Sequence, residues 1–135
     1  MSAETMREVV EAFAQADLRP LFEAIAEDVV WKSGSTEPGI FLFGGTYTGR
    51  FGVLEVTSLL STGYIFRRII PKEIVSSGEV VWGLFQAEGD YYPGGGLSKN
   101  PFAIELAIRW RVHEGKIVEH QSFFDTVALL QQHAG

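Results

Sequence analysis

The sequence predicts a single α+β domain over residues 1–135: an antiparallel, strongly curved sheet with its helices gathered on the apolar concave face. Helix-spaced apolar residues occupy the first part of the chain, and long strand-like segments occupy the second half. Clusters of Gly, Pro, Ser and Asn separate those segments. A chain of this length buries one core, and no internal repeat or linker divides it.

Met6, Val9, Val10 and Phe13 recur at helical spacing between Ala3 and Ala16, and the acidic first turn suits the positive end of a helix dipole. A second helix is capped by Asp17, tolerates Pro20 in its first turn and carries Leu18, Leu21, Phe22 and Ile25 as its stripe. It is expected to end at Asp28, completing a helical hairpin. Val29-Val30-Trp31 then opens an extended segment leading into a Gly- and Ser-rich stretch from Ser33 to Gly49. Within that stretch Ile40-Phe41-Leu42-Phe43 is too apolar for a free loop; it either covers a pocket or meets a partner. Phe51 to Leu60 returns to helical spacing, with Val53, Val56, Thr57 and Leu60 on one side.

Strands are expected at Tyr64–Ile70, Glu73–Ser76, Val80–Ala87, Phe102–Val112 and Lys116–Phe124, with Pro71 marking a bulge or an edge. Asp90 to Gly96 reads as a flexible connection. A short helix, Val127–Gln132, follows a cap at Asp125 or Thr126.

The last two strands decide which polar groups turn inward. Phe102, Ile104, Leu106, Ile108, Trp110 and Val112 share one face, opposite Glu105, Arg109 and Arg111. A three-residue His113-Glu114-Gly115 loop sets Val112 opposite Lys116, and therefore Ile108 opposite His120, Leu106 opposite Ser122 and Ile104 opposite Phe124. A two-residue turn would instead send Glu119, Gln121, Phe123 and Asp125 inward. The first register is preferred, because burying Glu119 and Gln121 without partners is costly.

Composition excludes several classes of function. The net charge of −6 repels phosphate backbones, and Arg67-Arg68 is the lone adjacent basic pair, so neither nucleic acid nor an anionic membrane is an expected partner. With no cysteine there is no disulfide, thiol nucleophile or zinc-thiolate site. The acidic, amphipathic N-terminus lacks a signal-like apolar run, and a cytoplasmic protein is expected. Three scattered His offer no metal-ligand spacing, so neither metal nor cofactor is expected; His113 and His133 read as exposed.

GKIVEHQSFFDTVALLQQ at Gly115–Gln132 resembles the C-terminal signature of SnoaL-like proteins, and AEDVVW at Ala26–Trp31 and GTYTGR at Gly45–Arg50 resemble two further landmarks of that group. The resemblance runs in order along nearly the whole chain. It implies the cystatin-like cone of the nuclear-transport-factor-2-like superfamily, with one apolar conical pocket and a homodimer formed through the outer sheet face. Relatives of this kind include polyketide cyclases, steroid isomerases, dehydratases, epoxide hydrolases and proteins with no chemistry, so the fold does not fix the activity. Against the steroid isomerase pattern, Ser33 stands where the proton-shuttling Asp belongs. Val9, Ile108 and Ile25 stand where that pattern has a Tyr, a neutral carboxylic acid and a second Tyr. That chemistry lacks its base and its oxyanion hole here. The polyketide cyclase group places acid–base residues on its last strands, which implies His120 and Asp125.

His120 has the unperturbed pKa for proton transfer near neutrality; its alternative role is that of a buried structural histidine. Asp125 either orients His120 from the pocket rim or caps the last helix. Trp31 and Trp82 offer stacking surfaces for a planar or polycyclic ligand, and Tyr47 and Tyr64 offer phenolic donors, with core packing as the other role of all four. Ser33 and Ser122 are ligand contacts, since serine without a base is no nucleophile. Thr57, Leu60, Ile108 and Phe124 complete the expected lining. Two functions therefore stand side by side. One is cofactor-independent acid–base chemistry, of isomerase, cyclase or dehydratase type, on a small and largely apolar molecule; the other is a non-catalytic ligand carrier or dimerisation module.

Overall fold

A computed structural model describes residues 1–35, 37 and 39–135. The elements follow in the order α1 (Ala3–Ala14), α2 (Arg19–Ala24), β1 (Ile25–Lys32), β2 (Thr46–Thr48), α3 (Gly49–Gly63), β3 (Tyr64–Ser77), β4 (Val80–Tyr91), β5 (Asn100–His113), β6 (Lys116–Phe123) and α4 (Thr126–His133). The α+β class is as the sequence predicts. The six strands form one sheet in the order β2-β1-β6-β5-β4-β3. It is mixed, because β1 runs parallel to β6 while every other neighbouring pair is antiparallel.

Ser2 caps α1 by accepting from the Thr5 amide, and Met6, Val9 and Val10 are the residues this helix buries. It lies across β3 and β4, while α3 lies on β1 and β2 and α4 on β5. The second helix is shorter than the apolar stripe suggests. It stops at Ala24, and Ile25 enters β1 instead, because pairing with Ile117 buries both isoleucines almost completely. Asp17 still assists, one residue upstream of the cap, by accepting from the Arg19 amide at 3.1 Å.

Strands β3 to β5 are longer than expected and continuous. Pro71 lies within β3, which is an edge strand, and the ladder slips between Pro71 and Glu73. Both readings of that proline therefore hold. The start of the Asp90–Gly96 segment belongs to β4, and the Tyr92 amide donates to the carbonyl of Gly63.

The β5–β6 hairpin differs from the expected one in a way that leaves the inward residues unchanged. The turn has two residues, Glu114 and Gly115, with φ of 49° and 77°, as a type I′ turn requires. Taken alone, that turn would have sent Glu119 and Gln121 inward. One extra residue, Val118, lies between the Val112–Ile117 and Arg111–Glu119 pairs and restores the parity. The register beyond the bulge places Trp110 opposite His120 and Ile108 opposite Ser122, two residues from the expected pairing but on the same face.

Glu114 holds a positive φ without the side-chain compensation of Asn. Replacing Glu114 with Asn, the residue a type I′ turn favours at this position, is expected to raise stability by about 0.5–1 kcal/mol. Urea unfolding checks this, and an unchanged or lower midpoint would contradict the turn geometry.

Candidate functional site

A cavity of about 120 Å³ lies between the inner sheet face and the helices. Its walls come from every layer: Val9, Val10 and Phe13 of α1, Leu60 of α3, Leu129 of α4, and the inward residues of β1 and of β3 to β6. The apolar Ile40–Phe43 segment supplies part of the cover. Phe41 and Phe43 are buried, and Phe43 lines the cavity, while Ile40 and Leu42 turn outward. Among the described residues no Asp, Glu, Lys or Arg side chain faces this space.

One wall patch is polar. Trp31 and His120 are register neighbours across β1 and β6, and Ser33 and Ser122 lie two positions further along the chain from each. All four line the cavity. The imidazole of His120 stacks on the Trp31 ring at 3.5 Å, with 11° between the planes. From the other flank the indole Nε1–H of Trp110 donates to His120 Nδ1 at 3.0 Å. Stacking fixes the plane of the imidazole, and the hydrogen bond fixes its rotation within that plane.

His120 is 6% exposed, and burial pushes its pKa down to about 3. The ring is therefore neutral throughout the physiological range. An indole nitrogen can only donate, so Nδ1 is the acceptor and Nε2 carries the hydrogen. Among the described residues no fully buried side-chain nitrogen or oxygen lacks a partner, yet Nε2 makes no hydrogen bond. It therefore keeps accessible surface, on a ring that lines the cavity. Ser33 and Ser122 also line the cavity, and their hydroxyls make no side-chain hydrogen bond among the described residues.

Leu60, Ile108 and Phe124 also line the cavity, but four other expected site residues lie elsewhere. Asp125 caps α4, accepting from the Ala128 amide at 3.0 Å, and is exposed. The Thr57 hydroxyl is spent on its own helix, donating to the Val53 carbonyl at 2.8 Å. Tyr47 pairs with Trp31 in the sheet but packs beneath α3 near Gly52 and donates to the Gly44 carbonyl. Trp82 sits on the outer face, because β4 turns Val81, Phe85 and Ala87 inward; there it stacks on Phe123 at 5.9 Å.

Two further histidine and tyrosine groups differ from expectation. His133 is half-buried, stacked on Tyr91 at 3.8 Å and hydrogen-bonded through Nε2 to the Tyr64 hydroxyl. Tyr64 lines the cavity, but its hydroxyl is therefore already engaged, and burial raises its pKa. The most consequential residue missed in sequence is Trp110. Its inward parity was legible, but a register two residues away hid its contact with His120.

The family pattern of the SnoaL-like domain matches residues 6–120. The chain belongs to that family. Among solved structures, an NTF2-like protein of unknown function from Burkholderia pseudomallei is 26% identical, with full coverage of both chains and a TM-score of 0.84. IdmH, a putative polyketide cyclase from Streptomyces antibioticus, is 27% identical over 98% of both chains, with a TM-score of 0.76. A putative SnoaL-like polyketide cyclase from Jannaschia is 14% identical, covers 98% of this chain and 90% of its own, has a TM-score of 0.80 and speaks for the fold alone. No curated protein is significantly similar in sequence.

The buried imidazole makes stability depend on acidity. Unfolded, this histidine takes a proton near pH 6.5; folded, it refuses one down to about pH 3, so the unfolded state binds more protons and stability falls as pH drops through that window. The slope contributed is at most about 1.4 kcal/mol per pH unit. His133, also shifted down by burial, adds in the same direction. Urea unfolding of wild type and His120→Gln between pH 7 and 5 separates the two, the glutamine variant showing the shallower dependence. Parallel pH curves would contradict a buried neutral His120.

Proposed function

We propose that this SnoaL-like domain binds a small, largely apolar molecule in the cavity, with His120, Ser33 and Ser122 as its polar contacts. The observation that carries this reading is the wall chemistry: apolar side chains on all sides and one patch, His120 Nε2 and the hydroxyls of Ser33 and Ser122, that makes no side-chain hydrogen bond among the described residues. A cavity of about 120 Å³ compares with an engineered one of about 150 Å³ that takes benzene, so a one-ring ligand is the natural size. A polycyclic ligand requires the walls to move.

The comparison with IdmH favours a second reading, in which bound substrate undergoes isomerase- or cyclase-type chemistry. In this chain His120 is a poor candidate for a ground-state base, because it is neutral and its acceptor nitrogen is engaged by Trp110. Asp125 is committed to capping. Ligand binding is therefore the primary proposal, and catalysis would rest on hydrogen-bond donation to a developing negative charge.

Toluene is expected to bind the wild-type protein, detected as shifts of the Trp31 and Trp110 indole signals in NMR titration. Ile104→Trp, which fills the cavity from β5, is expected to abolish those shifts while keeping a cooperative thermal transition. Equal binding by the two proteins would remove the cavity as the site.

A homodimer through the outer sheet face is the accompanying proposal. Val75 pairs with Trp82, and Leu84 runs through Ala107 to Phe123, so adjoining rows of that face are apolar. Val75, Trp82, Phe123 and Ile70 are 52%, 41%, 40% and 40% exposed, so large apolar side chains stand uncovered on that face. Sedimentation at low micromolar concentration is expected to show a dimer that Phe123→Lys dissociates. A monomeric wild type would refute it.

A further inference from the structure

We infer that Trp110 is a positioning residue that locks His120 as a hydrogen-bond donor, and that the ligand of this site is a neutral one-ring compound carrying a carbonyl oxygen for His120 Nε2–H. The inference rests on the proposed binding role of the cavity and adds the chemical class of its occupant.

Two contacts remove the freedom an imidazole normally has. A histidine ring in solution exchanges its proton between the two nitrogens, and either can meet a ligand as donor or acceptor. Here the indole of Trp110 presents a hydrogen to Nδ1 at 3.0 Å, and no rearrangement of that indole can turn it into an acceptor. A hydrogen on Nδ1 would face the Trp110 hydrogen at hydrogen-bond distance. The tautomer with hydrogen on Nε2 is the one this geometry permits. Stacking on Trp31 then prevents the ring from tilting away, so the Nε2–H bond has one direction, into the cavity.

The rest of the wall narrows the ligand further. A hydroxyl of Ser33 or Ser122 can donate or accept, so the serines adapt to whatever the ligand presents. Nε2–H cannot adapt. A ligand placing only carbon against it would leave a donor buried without a partner, while a ligand placing a donor against it would oppose two hydrogens. A carbonyl oxygen satisfies it. Because no charged side chain faces the cavity among the described residues, a carboxylate, phosphate or ammonium would be buried without a counter-charge. The occupant is therefore uncharged, and the volume of about 120 Å³ holds it to one ring with a short substituent.

The lock is testable without any ligand. In the ¹⁵N spectrum of the wild-type protein, His120 Nε2 is expected to appear as a hydrogen-bearing nitrogen and Nδ1 as a bare, hydrogen-bond-accepting one. The reverse assignment, or a mixture, overturns the proposal. In Trp110→Phe, checked for folding by its thermal transition, the two tautomers are expected to mix.

The ligand class is tested with acetophenone and α-methylstyrene, which share shape and differ in one group, C=O against C=CH₂. Wild type is expected to bind acetophenone about tenfold more tightly, the ratio expected when a buried donor loses its acceptor. In His120→Leu and in Trp110→Phe the preference is expected to shrink to within about threefold. Equal binding of both probes by the wild type sinks the carbonyl assignment and leaves the cavity's binding role standing. Binding of neither overturns the binding role and the carbonyl assignment together. A tenfold preference that survives in His120→Leu assigns recognition to the serines and refutes the role of His120.

Discussion

One extra residue on β6 governs the chemistry of the interior. Strand side chains alternate, so a two-residue turn commits one set of β6 residues to the core and the other to solvent. The Glu114–Gly115 turn would commit Glu119 and Gln121 inward, burying a carboxylate with no counter-charge among the described residues and an amide in an apolar wall. The bulge at Val118 cancels that commitment two residues into the strand. Glu119 then reaches Arg111 on the outer face at 3.2 Å, and His120 and Ser122 face the cavity. The same residue thus separates an apolar interior with one neutral polar patch from an interior holding an unpaired carboxylate.

What the bulge delivers, the aromatic neighbours orient. A buried histidine is tolerable when it is neutral and its nitrogens are accounted for. Trp110 accounts for one nitrogen, and in return its own indole hydrogen, buried with a side chain only 1% exposed, gains an acceptor. The second nitrogen is left for the cavity. Desolvation holds the ring neutral, stacking holds its plane and the indole bond holds its tautomer, so chemistry and geometry constrain the same group. The roof above it is tethered as well. Gln132 exchanges two hydrogen bonds with the backbone of Ala103, Asn100 donates to the His133 carbonyl, and Tyr64 pairs with His133. These contacts fasten the C-terminal end of α4, whose Leu129 lines the cavity, to β3 and β5.

The outer surface carries its own constraint. Arg67 and Arg68 pair with Asp90 and Glu88 at 2.8 and 2.7 Å, so the adjacent basic pair is matched by acids across the strand and forms no free cationic patch. Further along the sheet, Trp82 and Phe123 leave an apolar area that no helix among the described residues covers. Strand β4 marks that side much as β5 does: Gln86 and Glu88 share the parity of Trp82, as Glu105, Arg109 and Arg111 mark the outside of β5.

The sequence by itself determined the fold class, the helical hairpin, the strand order along the chain, the inward face of β5 and the family resemblance. Each depends on local periodicity or on a short motif, which a single chain displays directly. It also brought forward His120, Ser33, Ser122, Trp31 and Phe124, which line the cavity, through strand parity and the resemblance. Tertiary structure alone decided the parallel pairing of β1 with β6, which depends on residues about 90 positions apart and leaves no local signal. It also decided the bulge at Val118, the partnership of Trp110 with His120 and the removal of Tyr47, Thr57 and Asp125 from the cavity. Sequence spacing specifies which side of an element a residue occupies. Which residue stands opposite it, and hence which nitrogen of a histidine is free, is set by register between strands.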